Sequence, residues 1–175
     1  AGITYIDVRY FGTATGTNVI IAFETTTQIA ALNGQTWTNS VWVKVISGAA
    51  NNYTLRTSLR DSGGAGLGQI DTLFAPTSTL TRFFNTGTLA DASVAFVAPQ
   101  IRFCLTTGVA YDITLRIGLP QLELGAFATS VIPTTTTALT RSADVASVNT
   151  LSPWYSASEG TIYFEAQLYN APNVA

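Results

Sequence analysis

Two short stretches carry the side chains best suited to chemistry. SVWVKVI (40–46) places Trp42 two residues before Lys44, and YTLRTSLR (53–60) places Arg56 four residues before Arg60. An aromatic face beside cationic donors suits a sugar: the C–H face of a pyranose packs on the ring while hydroxyls and ring oxygens take hydrogen bonds. Residues two or four apart in a strand share a face. Trp42 with Lys44, and Arg56 with Arg60, therefore form two candidate carbohydrate-binding sets, and all four would make one site if their strands were neighbours. The competing reading packs Trp42 under a loop, against a second module or against another subunit, and leaves the arginines solvated or paired with Asp112.

Other chemistries find little support. The chain has no histidine, which removes Ser-His and Cys-His nucleophile systems and the commonest zinc ligand. Cys104, alone in QIRFCLTT, permits no disulfide within the chain and reads as a small core hydrophobe. Ten carboxylates are scattered with no local pair of the kind glycoside hydrolysis needs, so no catalytic residue and no enzyme activity are expected. The glycine-rich run DSGGAGLG (61–68) lacks the Lys-Ser/Thr of a phosphate loop and reads as an open loop. No metal site and no cofactor are expected. The one oxygen-rich alternative is a calcium ion (Ca2+) taken by Asp61 and nearby carbonyls, without an EF-hand-like spacing to support it.

The elements that must position these residues are strands. Val, Ile, Phe, Tyr and Trp occur in short runs broken by Gly, Asn, Ser and Thr about every ten residues, and helical periodicity is missing. Strands are expected at about 3–8, 18–23, 40–46, 53–60, 69–74, 80–85, 93–98, 101–106, 111–118 and 120–124. Alternation turns Val41, Val43 and Val45 inward, with Tyr53, Leu55, Thr57 and Leu59, and with Tyr111, Ile113, Leu115 and Ile117. In LTRFFN one of Phe83 and Phe84 must face out. The pattern predicts an all-β fold, a jelly-roll β-sandwich.

With 47% apolar but only 10% charged residues, much of the surface must be Thr, Ser, Asn, Gln and Gly, which suits an extracellular or particle-bound protein. The net charge of −2 comes without basic runs, so nucleic acid is not an expected partner. No apolar run reaches the roughly 18 residues that span a bilayer, and membrane insertion is not expected.

From Val131 the composition shifts. Pro133 ends the last strand, four threonines (134–137) favour extended backbone, and SPWYSASEGTIYFEAQL (152–168) opens a fresh β pattern. The expected organisation is a sandwich over 1–132, an extended Thr-rich linker over 133–150, and the first strands of a second, truncated β module over 151–175. A single strand cannot bury itself, so the tail needs a partner surface. Exposed aromatics at such junctions mark interfaces, which assigns Phe84, Trp154 and Tyr155 to contacts between subunits or modules.

Three segments carry a family resemblance spanning roughly 15–170. LNGQTWTNSVWVKVISG (32–48) resembles the opening strands of carbohydrate-binding-module-like jelly rolls, and TSTLTRFFNTGT (77–88) the middle strand that follows. PQLELGAFATSVIPTTTTALTRSADVASV (120–148) is similar to the segment that, in bacteriophage virion proteins of tail fibres, head fibres and particle decorations, closes the jelly roll and leads into a concanavalin-like or laminin-G-like sandwich. The resemblance implies a structural protein on the virion surface, assembled as a homo-oligomer, a homotrimer, with other virion proteins, and in contact with host cell-surface glycan. The alternative is a dedicated carbohydrate-binding adhesin module for host polysaccharide.

Overall fold

A computed structural model describes residues 4–49, 51–134, 137–140 and 158. The chain divides into two compact units, 1–139 and 140–175. The second β module, with Trp154 and Tyr155, lies outside the described residues. No helix among the described residues is long and apolar enough to cross a membrane.

The first unit is a jelly-roll β-sandwich of nine strands: β1 (Tyr5–Thr13), β2 (Asn18–Ala22), β3 (Ile29–Ala30), β4 (Thr36–Ser47), β5 (Tyr53–Arg60), β6 (Gly66–Phe74), β7 (Thr81–Thr88), β8 (Phe96–Cys104) and β9 (Ala110–Leu124). All pairings are antiparallel. One sheet runs β1-β9-β4-β7 and the other β2-β8-β5-β6, with β3 continuing the β2 edge of β8.

Alternation places the core as expected. Val41, Val43, Tyr53, Leu55, Ile113, Leu115 and Ile117 are buried between the sheets with Phe74, Ile101 and Phe103. Phe83 turns inward, its ring centroid 4.5 Å from that of Phe74, and Phe84 turns outward. A second, smaller cluster gathers Ala31, Leu59, Leu89, Val94 and Val97. The inter-sheet space also takes in polar side chains. Asn85 of β7 donates Nδ2 to the carbonyls of Leu55 (2.9 Å) and Ile70 (2.8 Å) and accepts from Thr57 Oγ1 (3.2 Å). Asn39 of β4 donates to the carbonyl of Arg56. The sheets are thus tied by directional bonds as well as by apolar burial.

Two predicted strand pairs are single strands. Pro99 sits inside β8, where proline costs a ladder bond unless its nitrogen faces a gap. Its carbonyl accepts from Phe23 N–H, so its nitrogen points to the β2 side, where β2 has ended and β3 has not begun. In β9, Leu119 adopts φ +48° just before Pro120, and the β4 register slips by one residue between Ser40 and Trp42. This is a β-bulge, which absorbs the break without ending the strand.

Candidate functional site

The predicted sugar residues divide between opposite faces of the sandwich. Trp42 and Lys44 are on the outer face of the four-stranded sheet, opposite Arg82 and Gly118, and Arg116, respectively. Arg56 and Arg60 are on the outer face of the five-stranded sheet. Each pair shares a face as strand periodicity requires, but the two pairs do not converge. Alternation fixes which residues of one strand point together; it does not say which strands are neighbours, and β4 and β5 belong to different sheets.

The Trp42 face is largely occupied by the protein's own groups. Arg82 donates Nη1 to the carbonyl of Thr129 and Nη2 to Ser40 Oγ (2.8 Å), and Glu123 lies 4.0 Å from it. Glu123 in turn takes Thr129 N–H (2.9 Å) and Thr129 Oγ1–H (2.6 Å), while Gln121 Oε1 takes Ile132 N–H (2.9 Å). These bonds fasten the segment after β9 beside Trp42, which is half-buried with its indole Nε1 enclosed and unpartnered. Burial pulls the Arg82 pKa down, with Glu123 opposing.

The other half of the same face is a ladder of exposed ion pairs. Arg9 binds Asp112, and Arg116 binds Asp7, each through two nitrogens at 2.8 Å. The guanidinium of Arg116 stacks 3.7 Å from the Tyr5 ring centroid, and that of Arg9 4.9 Å from Phe11. The arginine hydrogen bonds hold both aspartates below the usual carboxylate range. Asp112 thus pairs with Arg9 rather than with Arg56 or Arg60.

The five-stranded face differs in kind. One row across it reads Ala22, Gln100, Arg56, Asp71, and the row two residues towards the β5 start reads Ile20, Arg102, Thr54, Leu73. Arg56 is held by Asp71 through Nε (2.8 Å) and Nη2 (2.7 Å); that hydrogen bond raises its pKa. Gln100 is only 4% exposed although it points away from the core, and its Oε1 has no hydrogen-bond partner. At the far end Arg60, opposite Phe96 and Gly66, has its Nε buried and likewise unpartnered. Neither Arg60 nor Arg102 has a carboxylate within ion-pair distance among the described residues.

Two loops that leave this sheet touch each other. Gly64, with φ +84°, belongs to the β5–β6 hairpin, and a Cβ there would lie 3.0 Å from Thr26 Oγ1 and Thr27 Cγ2 of the β2–β3 loop. Glycine is required at that contact, because only it combines this backbone with so close an approach. Ala98 and Ser58 are both buried on what is formally an outer face. An open depression of about 390 Å³ lies along Ala22–Thr26 at this edge. Leu73, 72% exposed, and Ile20 supply an apolar rim at the other end.

Other expected residues fall as follows. Asp61 uses Oδ1 to accept the N–H groups of Gly63 and Ala65 (both 2.9 Å), closing the hairpin. The loop is DSGGA (61–65), because β6 already begins at Gly66. No group of three metal-ligating side chains of the His, Cys, Asp and Glu types occurs among the described residues. Cys104 is half-buried on the outer face, its Sγ 3.4 Å from Thr54 Oγ1, and is not a core residue. Phe103 takes the inward position beside it. Phe84 is 48% exposed on β7.

Gln100 was missed in the sequence because Pro99-Gln100 reads as a break between strands, and Arg102, inside the expected strand 101–106, was not singled out because no partner residue stood beside it in the sequence. Reading APQIRFC as one strand would have set both on the side opposite Ile101 and Phe103.

No protein-family model matches the chain, and no curated protein matches it in sequence. Among solved structures it is similar to the tripod from the baseplate of bacteriophage Tuc2009, at 20% identity over 75% of this chain and 50% of that one, with a TM-score of 0.49. It is also similar to a CBM4 structure (18% identity, 69% and 71% coverage, TM-score 0.47). A third is the CBM22-1 xylan-binding domain from Paenibacillus barcinonensis Xyn10C (12% identity, 73% and 91% coverage, TM-score 0.41). The chain spans half the length of the tripod chain it matches. At these identities the likeness concerns the fold alone.

Proposed function

We propose that this sandwich is a non-catalytic, saccharide-binding module of a virion surface structure, a fibre or decoration of a phage or phage-like particle, working as a homotrimer. The ligand lies on the outer face of the five-stranded sheet, and Arg56 and Arg60 belong to its site. Trp42 and Lys44, on the opposite face, serve packing and assembly, with exposed Phe84 contributing to subunit contacts.

The observation that supports saccharide binding is Gln100, a buried amide on an outward face whose Oε1 lacks a donor. A buried acceptor without a partner costs free energy, and a ligand hydroxyl that reaches it as the side chains around it give way removes that cost. Polar groups between apolar rims at Ile20 and Leu73 suit a ligand that is polar at its edges and apolar on its ring faces. The virion placement is supported by the resemblance of residues 120–148 to phage junction segments.

The test is a glycan array probed with the protein, Gln100→Ala and Trp42→Ala, each checked by circular dichroism and light scattering. Retention that is lost in Gln100→Ala and kept in Trp42→Ala, at a mass near three times 18.5 kDa, is the expected result. No retention by the folded protein, or loss only in Trp42→Ala, overturns the proposed binding face, and a monomer overturns the trimer.

A further inference from the structure

We infer that the saccharide held on this face is acidic, carrying a carboxylate or sulfate group; this inference rests on the saccharide-binding reading above. The face offers orphans of both signs. Gln100 Oε1 is an acceptor that lacks a donor, and Arg60 Nε is a donor that lacks an acceptor; both atoms are buried. A neutral sugar hydroxyl meets the first need well. The Arg60 side chain is met best by an anion, because the residue is half-buried and only its Nε is enclosed, so that its terminal nitrogens, without an acceptor among the described residues, can take a charged group together.

The charge balance of the face points the same way. Its strands carry three arginines, Arg56, Arg60 and Arg102, against one carboxylate, Asp71, which is committed to Arg56. Glu24, on the β2–β3 loop, is exposed and forms no ion pair with them. Arg102 has no polar side-chain contact beyond a 3.9 Å approach to Cys104 Sγ. A chain of net charge −2 thus gathers two unneutralised guanidiniums on one face, while its other sheet pairs Arg9 and Arg116 with aspartates.

The spacing sets the ligand's length. Gln100 stands opposite Arg56, four residues along β5 from Arg60, a separation of about 13 Å at the usual strand rise. Arg102 is two residues beyond Gln100 on the other side, about 7 Å away. One sugar ring cannot serve Gln100 and Arg60 together, so the ligand is an oligosaccharide with its acidic residue towards Arg60 or Arg102.

The test compares three probes by isothermal titration calorimetry: an oligogalacturonate hexamer, the same oligomer with its carboxyl groups reduced to neutral alcohols, and a sulfated oligosaccharide of similar length. They are titrated into the full chain, Arg60→Gln, Arg102→Gln and Gln100→Ala, with folding checked by circular dichroism. One or both anionic probes should bind at least about tenfold more tightly than the neutral oligomer, the size of a charge-assisted hydrogen bond. That preference should shrink in Arg60→Gln or Arg102→Gln and weaken with added salt. Preference for the hexamer assigns a carboxylate, and preference for the sulfated probe a sulfate. Equal binding of neutral and acidic oligomers, lost in Gln100→Ala, overturns the acidic inference and leaves saccharide binding intact. Binding of none of the three, with a glycan array also blank, overturns the saccharide reading itself.

Discussion

The two outer faces of this sandwich are built from the same kinds of residue, arginine, aspartate, threonine and aromatics, yet they resolve their charges differently. On the four-stranded face, Arg9 and Arg116 are matched by Asp112 and Asp7, and Arg82 is bound by Thr129, Ser40 and Glu123. What stays unpartnered there, Trp42 Nε1 and Arg82 Nε, is enclosed beside the returning segment. The five-stranded face leaves Gln100 Oε1 and Arg60 Nε without partners, one acceptor and one donor that are enclosed as well, and it adds two arginines, Arg60 and Arg102, with no carboxylate in ion-pair reach among the described residues. Charge composition alone therefore does not distinguish the two faces; the pairing of the charges does.

If the five-stranded face is held rigid from beneath, the largest effect should come from Asn85, whose amide joins β7 to the carbonyls of Leu55 and Ile70. Asn85→Ala leaves those buried carbonyls without their side-chain donor. Urea unfolding should show a loss of about 2–4 kcal/mol; a loss under about 0.5 kcal/mol, the scatter of surface substitutions, would mean the face does not depend on this tie.

The four-stranded face should respond next, at its own fastening. Arg82→Ala removes the bonds to Thr129 and Ser40 and leaves Glu123 with Thr129 but no cation beside it, costing about 1–3 kcal/mol. Limited proteolysis should then cut between residues 125 and 132, while saccharide retention stays as it was. Retention lost along with the fastening would erase the division between the faces.

A third substitution separates an orphan that serves a ligand from one that does not. Tyr53 OH is buried in the core without a partner, and burial pushes its pKa up to about 12. Tyr53→Phe removes that unmet group where no ligand reaches, so thermal unfolding should show a gain of about 1 kcal/mol with binding unchanged. A loss of stability would instead mean that the hydroxyl finds a partner in solution.

The smallest effect belongs to the exposed ladder. Asp7 and Asp112 have lowered folded pKa values, so their pairing contributes stability that is present above the ordinary carboxylate value of 3.8 and fades as pH falls through the lowered values. Asp7→Asn with Asp112→Asn should flatten the acid limb of the stability profile slightly and leave the neutral region almost unchanged, because both pairs are solvated. A large loss at neutral pH would show that the ladder does more than decorate the sheet.

Much of the fold was legible in the residues themselves. Strand parity in SVWVKVI, YTLRTSLR and YDITLRIG correctly separated inward from outward side chains, because a two-residue period leaves only two faces to choose between; burial of the outward Ser40, Thr54 and Ser58 was not legible from it. The breaks at Pro99 and Pro120 misled, since proline usually bounds a strand and here sits at a gap in the neighbouring edge and at a bulge. The site was less legible. Spacing put Arg56 and Arg60 on one face, as they are, but joining them to Trp42 required a strand adjacency that only the sheet order reveals. Gln100 was hidden behind Pro99, and nothing in its neighbours' types marks an amide whose oxygen is buried and unmatched.

The most direct test of the central claim is a nitrogen-15 NMR titration with the oligosaccharide retained on the array, following the Gln100 side-chain amide, the Nε–H groups of Arg60 and Arg102, and the Trp42 indole N–H. With the ligand on the five-stranded face, the Gln100 and arginine signals move together and saturate while the Trp42 indole stays in place. Movement of the Trp42 indole with the Gln100 amide unmoved would contradict that claim and put the ligand on the opposite face.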